Sequence, residues 1–443
     1  MLKTFRIGGI HPPENKRSAD QKITPLAIPK QVVIPLSQHI GAPAEPVVKK
    51  GDAVKAGTLI AKASGFVSAN IHASVSGTVN KIGEVIDSSG TLRPAVYITA
   101  EGDEWEESID RSDTLVKECN LSDKEIINKI NAAGIVGLGG ATFPTQIKLS
   151  PPPGSKAEIL IVNAVECEPY LTSDHSIMLE KGEQILTGTS ILMKALNVNR
   201  AVIGIENNKP DAIRHLTQLA VQNRMIEIMP LKVKYPQGGE KQLIDAVIRK
   251  QVKSGALPIS EGAVVQNAGT VLAVYEAVQK NKPLIERVVT VTGKKIDKPS
   301  NFLVRIGTPV HELIEAAGGL PEDTGKVIGG GPMMGRALVN TDVPVTKGSS
   351  GILVLPAGEV KRKPAYDCIR CAKCVSVCPM GLNPSLLMSV AEFEKWDLAE
   401  DNYIVDCIEC GSCSYTCPAN RPLLDYIRLG KGKVTGIIRA RKS

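Results

Sequence analysis

Eight of the ten cysteines in this 443-residue chain lie in two short runs, CIRCAKCVSVCP at 368–379 and CIECGSCSYTCP at 407–418. Both follow C-x2-C-x2-C-x3-C-P. Structural zinc usually takes its thiolates as two separated C-x2-C pairs that close a tetrahedron. Three cysteines at i, i+3 and i+6 instead wrap a loop around three corners of a cubane, and the fourth ligand must come from elsewhere. In the two-cluster ferredoxin pattern it is the remote cysteine of the other run. This spacing assigns Cys368, Cys371, Cys374 and Cys417 to one 4Fe–4S cluster, and Cys407, Cys410, Cys413 and Cys378 to a second. Pro379 and Pro418 turn the chain away after each remote ligand, because proline fixes φ and carries no N–H. A disulfide framework is disfavoured by the chain length and by the crowding of the cysteines. The runs mark an electron-transfer module without saying what feeds it.

A second set of candidates lies upstream. GLGGATFPTQIK (137–148) places Gly137, Gly139 and Gly140 in one loop, with Phe143 and Lys148 following. Closely spaced backbone N–H groups suit a phosphate. Lys148 would supply its counter-charge and Phe143 a ring face. The apolar run EILIV (158–162) then ends in a polar group, Asn163, Glu166 and Glu168. Taken alone, the glycines allow a tight turn and the acids a solvated loop end. A bound dinucleotide or flavin accounts for all of these residues together.

These groups need elements to hold them. SDKEIINKINAAGI (122–135) has a Ser/Asp cap and helical apolar spacing. The runs EILIV and RAVIGIE (200–206) read as strands among further helical stretches. Such alternation predicts an α/β domain with a mostly parallel sheet, whose ligands bind at the carboxyl ends of the strands. Residues 43–82 form short Val/Ile/Thr runs punctuated by glycine, and predict a β module. From 286 to 345 the pattern is two strands, a helix from Val310 to Ala317 and another strand, as in a small β-grasp module. Its Gly329–Gly331 and Met333–Met334 serve either as a connector or as an approach to a neighbouring site. The expected fold is multidomain α/β plus α+β. Its parts are a β domain (1–115) whose segment 43–82 resembles a barrel-sandwich hybrid, a Rossmann-like domain (116–285), the β-grasp module (286–350), a two-cluster ferredoxin-like domain (360–430) and a basic tail (431–443).

Composition narrows the partners. Hydrophobic residues at 43% and charged residues at 22% allow roughly three ordinary domains. No run of about 18 apolar residues is present, so no bilayer span is expected. The start lacks the apolar segment of a secretory signal, which predicts a cytosolic protein. Aromatic residues are only 3%, which argues against nucleic-acid stacking. The C-terminal stretch IRLGKGKVTGIIRARKS is basic, and is either solvated or a docking point for an acidic partner or an anionic membrane. Cys119 and Cys167 are expected to be buried, since free cysteine packs as a small hydrophobe.

Together these segments resemble a family. GDAVKAGTLIA and HASVSGTV resemble the two halves of lipoyl and biotinyl carriers, but the joining hairpin SGFVSAN has no lysine to modify. TFRIGGIHPPENK, GLGGATFPTQIK, NAVECEPY, YPQGGEKQL, QNAGT and the paired cysteine runs, in that order, resemble the C subunit of the Rnf complex, an ion-translocating ferredoxin:NAD oxidoreductase of bacterial membranes. The middle is also similar to the flavin-bearing subunit of respiratory complex I, and the β-grasp module to that subunit's SLBB module. The resemblance implies two 4Fe–4S clusters, non-covalent FMN and NAD(H). It implies that Gly137, Gly139, Gly140 and Lys148 cradle the FMN phosphate and nucleotide, and that Asn163 and Glu166 contact the flavin. Glu168 and Phe143 would lie near the nicotinamide nucleotide, with Glu240, Asn267 and Thr270 completing the pocket. This chain has Val136 and Leu138 where the complex I loop carries arginines, Thr142 for a glycine and Val165 for an aspartate.

The implied function is a relay between NADH, FMN and the clusters, usually running from reduced ferredoxin to NAD+ and coupled to Na+ or H+ movement. The chain would be an NADH-facing peripheral subunit of an ion translocase, on the cytoplasmic side of the cell membrane. Its partners would be the membrane-embedded and peripheral subunits of the same complex, with no nucleic acid and no span of its own. The alternatives are the corrin reductase of bacterial microcompartments and a non-enzymatic electron carrier with a vestigial nucleotide domain.

Overall fold

The computed structural model describes residues 2–441. In the α/β region four parallel strands lie in the order Ile226–Leu231, Ala201–Glu206, Ile159–Asn163, Ala263–Asn267. The first three step outward in chain order, and the fourth returns to the opposite flank of Ile159–Asn163. The order therefore reverses between Ile159–Asn163 and Ala263–Asn267. A reversal of this kind opens a crevice at the carboxyl ends of the two strands.

Burial on both faces explains why ILIVN reads as an unbroken apolar run. Leu160 and Val162 pack on one side with Ile191 and Val274 of helices Gly182–Leu196 and Ala268–Lys280. Ile159 and Ile161 pack on the other with Leu243 and Val247 of helix Glu240–Ile248. The helix expected near 122–135 spans Asp123–Ala132, and Ser122 and Glu125 form a capping box.

Strands from 31 to 100 make two small sheets, one ordered Gln31–Pro35, Leu92–Ala100, Gly77–Ile86, Ala53–Val54 and the other Glu45–Pro46, Leu59–Lys62, Ile71–His72. Ile34, Val79 and Ile98 of the first meet Ile60 and Ile71 of the second in one core. The lysine-free hairpin links Leu59–Lys62 to Ile71–His72 and presents Phe66, which is 85% exposed.

The β-grasp sheet has Glu286–Gly293 beside Ser300–Arg305, and helix Val310–Ala316 on its core. Two strands from outside residues 286–350 complete it. Gly351–Pro356 runs parallel to Glu286–Gly293, and Ile23–Pro25 joins the far edge against Ser300–Arg305. The cysteine runs lie among short helices packed on helix Leu423–Ala440. The basic stretch runs along that helix from Ile427 through Ala440, with Val434 buried and Lys433 exposed, and its residues 442 and 443 lie outside the described part. Among the described residues, no helix is long and apolar enough to cross a membrane.

Residues 3–16 run as a strap across these units. Lys3 pairs with Leu231 and Ile10 with Tyr235, while the Gly9 amide donates to the Val377 carbonyl at 2.9 Å.

Candidate functional site

The crevice is framed by Asn163 and Asn267, which are register partners at the ends of their strands. Asn163 Nδ2 donates to the Gly238 carbonyl at 2.8 Å, tying the first strand to the segment YPQGGE. The Asn267 side chain does two jobs. Its Oδ1 accepts from the amides of Gly269 and Thr270, capping helix Ala268–Lys280, and its Nδ2 donates to Asp174 Oδ2 at 2.6 Å. Thr270 Oγ1 accepts from the Leu138 amide at 2.8 Å, which brings the glycine loop to the same helix start. At Gly139 a Cβ would stand 3.3 Å from Asn267 Cβ, and Gly140, at φ +117, has nothing within 4 Å of its missing Cβ. The loop thus lies close to the sheet end at one glycine and opens outward at the next. The Gly137 and Leu138 amides are spent on Phe143 and Thr270, so a phosphate would be met by the part of the loop at Gly139 and Gly140.

Lys148 and Glu240 meet at 2.6 Å, and Lys148 also donates to the Val265 carbonyl. Both are half-buried, so the pair borders the crevice without being sealed from solvent. Phe143 is half-buried, and its carbonyl accepts from Gly137.

The two acids after the strand are not a solvated loop end. Glu166 has a left-handed backbone, φ +47, and its carboxylate accepts from the amides of Asp174 and His175 and from the Ser173 hydroxyl. It caps helix Ser173–Glu180, where a negative charge is favoured. Burial and the neighbouring Glu166 push the Asp174 carboxyl up to about 7, against the pull of Asn267. Glu168 Oε1 accepts from the amides of Met333 and Met334 at 2.6 and 3.0 Å.

Residues that carried no assignment in the sequence hold this loop. Lys16 Nζ donates to the carbonyls of Glu166, Leu171 and Glu168 at 2.8, 2.7 and 2.9 Å. Lys209, buried, donates to the Val165 carbonyl at 2.8 Å. The Leu138 carbonyl faces the buried guanidinium of Arg287, which also bonds the Lys347 carbonyl. In sequence, Lys16 was visible only as part of HPPENK, and Arg287 only as one residue of a strand.

Tyr235, also unassigned, is buried, and its hydroxyl donates to the Cys410 carbonyl at 2.8 Å. Gln242 Nε2 donates to the Pro379 carbonyl, one residue beyond Cys378. The half-buried Cys167 accepts from the Gly238 amide at 3.3 Å and packs with Tyr235 and Cys410. Cys119 is half-buried against the α/β core.

Cys378, Cys407, Cys410 and Cys413 line one cavity with Leu382, Leu387, Leu424 and Ile427. Burial and the neighbouring thiols push Cys407 up to about 11 and Cys413 to about 12. Four thiols on one apolar-walled cavity are the donor type that an iron–sulfur cluster takes, although among the described residues they are not drawn together as a closed ligand set. Of the other four, Cys374 and Cys417 lie near enough to couple electrostatically, while Cys368 and Cys371 are exposed.

Comparison with known proteins gives four domain matches along the chain. They are an RnfC barrel sandwich hybrid domain (3–103), a Nuo51 FMN-binding domain (130–276), an SLBB domain (288–337) and a 4Fe–4S dicluster domain (367–421). The chain is 48% identical over 98% of its length to the C subunit of the proton-translocating ferredoxin:NAD(+) oxidoreductase complex of Clostridium ljungdahlii, covering 94% of that protein. This chain belongs to the RnfC family. The C subunit of the Na(+)-translocating ferredoxin:NAD(+) oxidoreductase complex of Acetobacterium woodii is 44% identical, with 97% of each chain covered. The C subunit of the ion-translocating oxidoreductase complex of Rhodobacter capsulatus is 42% identical over 98% of this chain and 84% of its own. The four domain types expected from the sequence are those of an RnfC chain. The glycine loop, the Asn163 and Asn267 strand ends and YPQGGE all fall within the FMN-binding domain, and all eight clustered cysteines within the dicluster domain.

Proposed function

We propose that this RnfC chain is the NAD(H)-facing subunit of a ferredoxin:NAD+ oxidoreductase that translocates ions, seated peripherally on the cytoplasmic side of the membrane. Its partners are the membrane-embedded and peripheral subunits of the same complex. Bound FMN would supply hydride exchange with the nicotinamide and single-electron exchange with iron–sulfur clusters. The protein's own part is binding, orientation and exclusion of water.

Gly137, Gly139, Gly140 and Lys148 would hold the phosphate side of the flavin, with Glu240 as the partner of Lys148. Asn163, Asn267 and Thr270 would bound the ring pocket. Glu166 supports that pocket through the start of helix Ser173–Glu180, and Glu168 and Phe143 would meet the nicotinamide nucleotide. Cys407, Cys410, Cys413 and Cys378 would hold the cluster nearer the crevice. Cys368, Cys371, Cys374 and Cys417 would hold the outer one, whose exposed loop faces the partners. The observation that carries this reading is the join at Tyr235: the segment that walls the crevice also bonds the backbone of a cysteine in the inner set.

The test is anaerobic purification followed by flavin and iron analysis, then NADH addition with cluster absorbance followed. One FMN, two clusters and NADH-dependent bleaching are expected. A protein that takes up no flavin, and whose clusters stay oxidised with NADH, would refute the proposal.

A further inference from the structure

Besides Arg287, the β-grasp module sends a loop toward the crevice, and that loop ends on Glu168. The Met333 and Met334 amides both donate to Glu168 Oε1. Gly331 lies so close that a Cβ there would stand 2.1 Å from Glu168 Cγ and 2.6 Å from Oε1. No other residue type fits that approach without displacing the carboxylate. On its far side the loop touches the second cysteine run, where a Cβ on Gly411 would stand 3.0 Å from the Met333 carbonyl oxygen. The loop is wedged between Glu168 and the inner cysteine set.

Glu168 is held at its other end as well, since its own carbonyl is one of the three gripped by Lys16. A carboxylate needed only for solubility would be left in water. This one is half-buried and given two backbone donors, and hydrogen bonds to an ionised acceptor are short and strong. Burial raises its proton affinity, and the two amides, the Tyr235 hydroxyl and the Lys16 ammonium act against that rise.

We propose that the Gly331–Met334 loop of the β-grasp module is a positioning element that fixes the Glu168 carboxylate for the nicotinamide half of the dinucleotide. The inference rests on the reading of Glu168 as a nicotinamide contact.

The test uses the full chain loaded with FMN and clusters, kept oxidised. Binding of NAD+ and of ADP-ribose, which lacks the nicotinamide, is measured against pH. Gly331→Ala should weaken NAD+ about tenfold, as loss of a bond to a charged group does, and shift the pH profile of NAD+ binding upward. ADP-ribose affinity, FMN content and iron content should stay unchanged. Met334→Pro, which deletes one donor, should act in the same direction and serves if Gly331→Ala fails to load its cofactors. Combining Gly331→Ala with Glu168→Gln should weaken NAD+ no more than Glu168→Gln alone. An additive double variant, or equal losses for NAD+ and ADP-ribose, would overturn the loop's role. So would silent loop variants beside a weakened Glu168→Gln, in which case the reading of Glu168 would survive. A Glu168→Gln protein that binds NAD+ normally would overturn both.

Discussion

The Tyr235 hydroxyl donates to the Cys410 carbonyl at 2.8 Å, although the two residues are 175 positions apart. Tyr235 opens the segment that leads to Glu240, the partner of Lys148, and its backbone is paired with Ile10 of the strap. The crevice and the Cys378, Cys407, Cys410 and Cys413 set are therefore parts of one packed unit, so their spacing is set by burial and not by a flexible linker.

Tyr235→Phe keeps the ring and removes the hydroxyl, leaving a buried carbonyl without its donor. A stability loss of roughly 1–2 kcal/mol is expected. NADH-driven cluster reduction, followed by stopped-flow absorbance, should slow severalfold with FMN content unchanged. A wild-type rate and melting temperature would show that the hydroxyl does not hold the two parts in register.

Lys16→Met preserves much of the side chain's apolar length but strips three carbonyls of a charged donor. Denaturant unfolding should show a loss of roughly 2–4 kcal/mol, because several groups are left unmatched at once. The KM for NADH should rise, since Glu166 and Glu168 lie in the loop that Lys16 holds. Stability loss with an unchanged KM would mean that the loop keeps its shape without Lys16.

Asp174 gives a pH signature. Its carboxyl is raised from 3.8 to about 7 in the folded chain, so between those values the folded state holds more protons than the unfolded one. The stability it contributes is full below about 4 and is lost as the pH rises to about 7. Relative to Asp174→Asn, the wild type should lose on the order of 2–3 kcal/mol across that window, allowing for partial exposure, and no more above it. Parallel stability curves for the two proteins would place the ionisation elsewhere.

Lys148→Ala leaves Glu240 unpaired beside the crevice. FMN affinity, measured by equilibrium dialysis of the flavin-free chain, should fall about tenfold, as loss of one charge-assisted bond predicts. Unchanged affinity would remove Lys148 from the phosphate site.

What the sequence made legible was local. The cysteine runs announced their chemistry because three ligands of each set sit within seven residues. The helix at Asp123–Ala132 announced itself through a Ser/Asp cap and helical apolar spacing, and the structure adds the Glu125 half of a capping box. The glycine loop and the strand ends were readable as motifs. The groups that hold them in place were not. Lys16 and Glu166 are 150 positions apart, and Glu168 and Met333 are 165 apart. A lysine in a proline-rich opening carries no local sign of the carbonyls it will meet, and a glycine triplet reads as a connector until the carboxylate against it is seen. Likewise Leu138, where the complex I loop has an arginine, has a guanidinium at its carbonyl after all, but Arg287 supplies it from the β-grasp strand Glu286–Gly293.

On the proposed function, electrons pass between the crevice and the Cys378, Cys407, Cys410 and Cys413 set before reaching the outer one. Freeze-quenched electron paramagnetic resonance of Cys378→Ser and Cys417→Ser, each mixed anaerobically with NADH, tests it most directly. Cys417→Ser, altered at the outer cluster, should still give one NADH-reduced cluster signal at the wild-type rate. Cys378→Ser, altered at the inner cluster, should leave the outer cluster unreduced by NADH although dithionite reduces it. Rapid reduction of the outer cluster by NADH in Cys378→Ser, with the signal lost in Cys417→Ser, would contradict it.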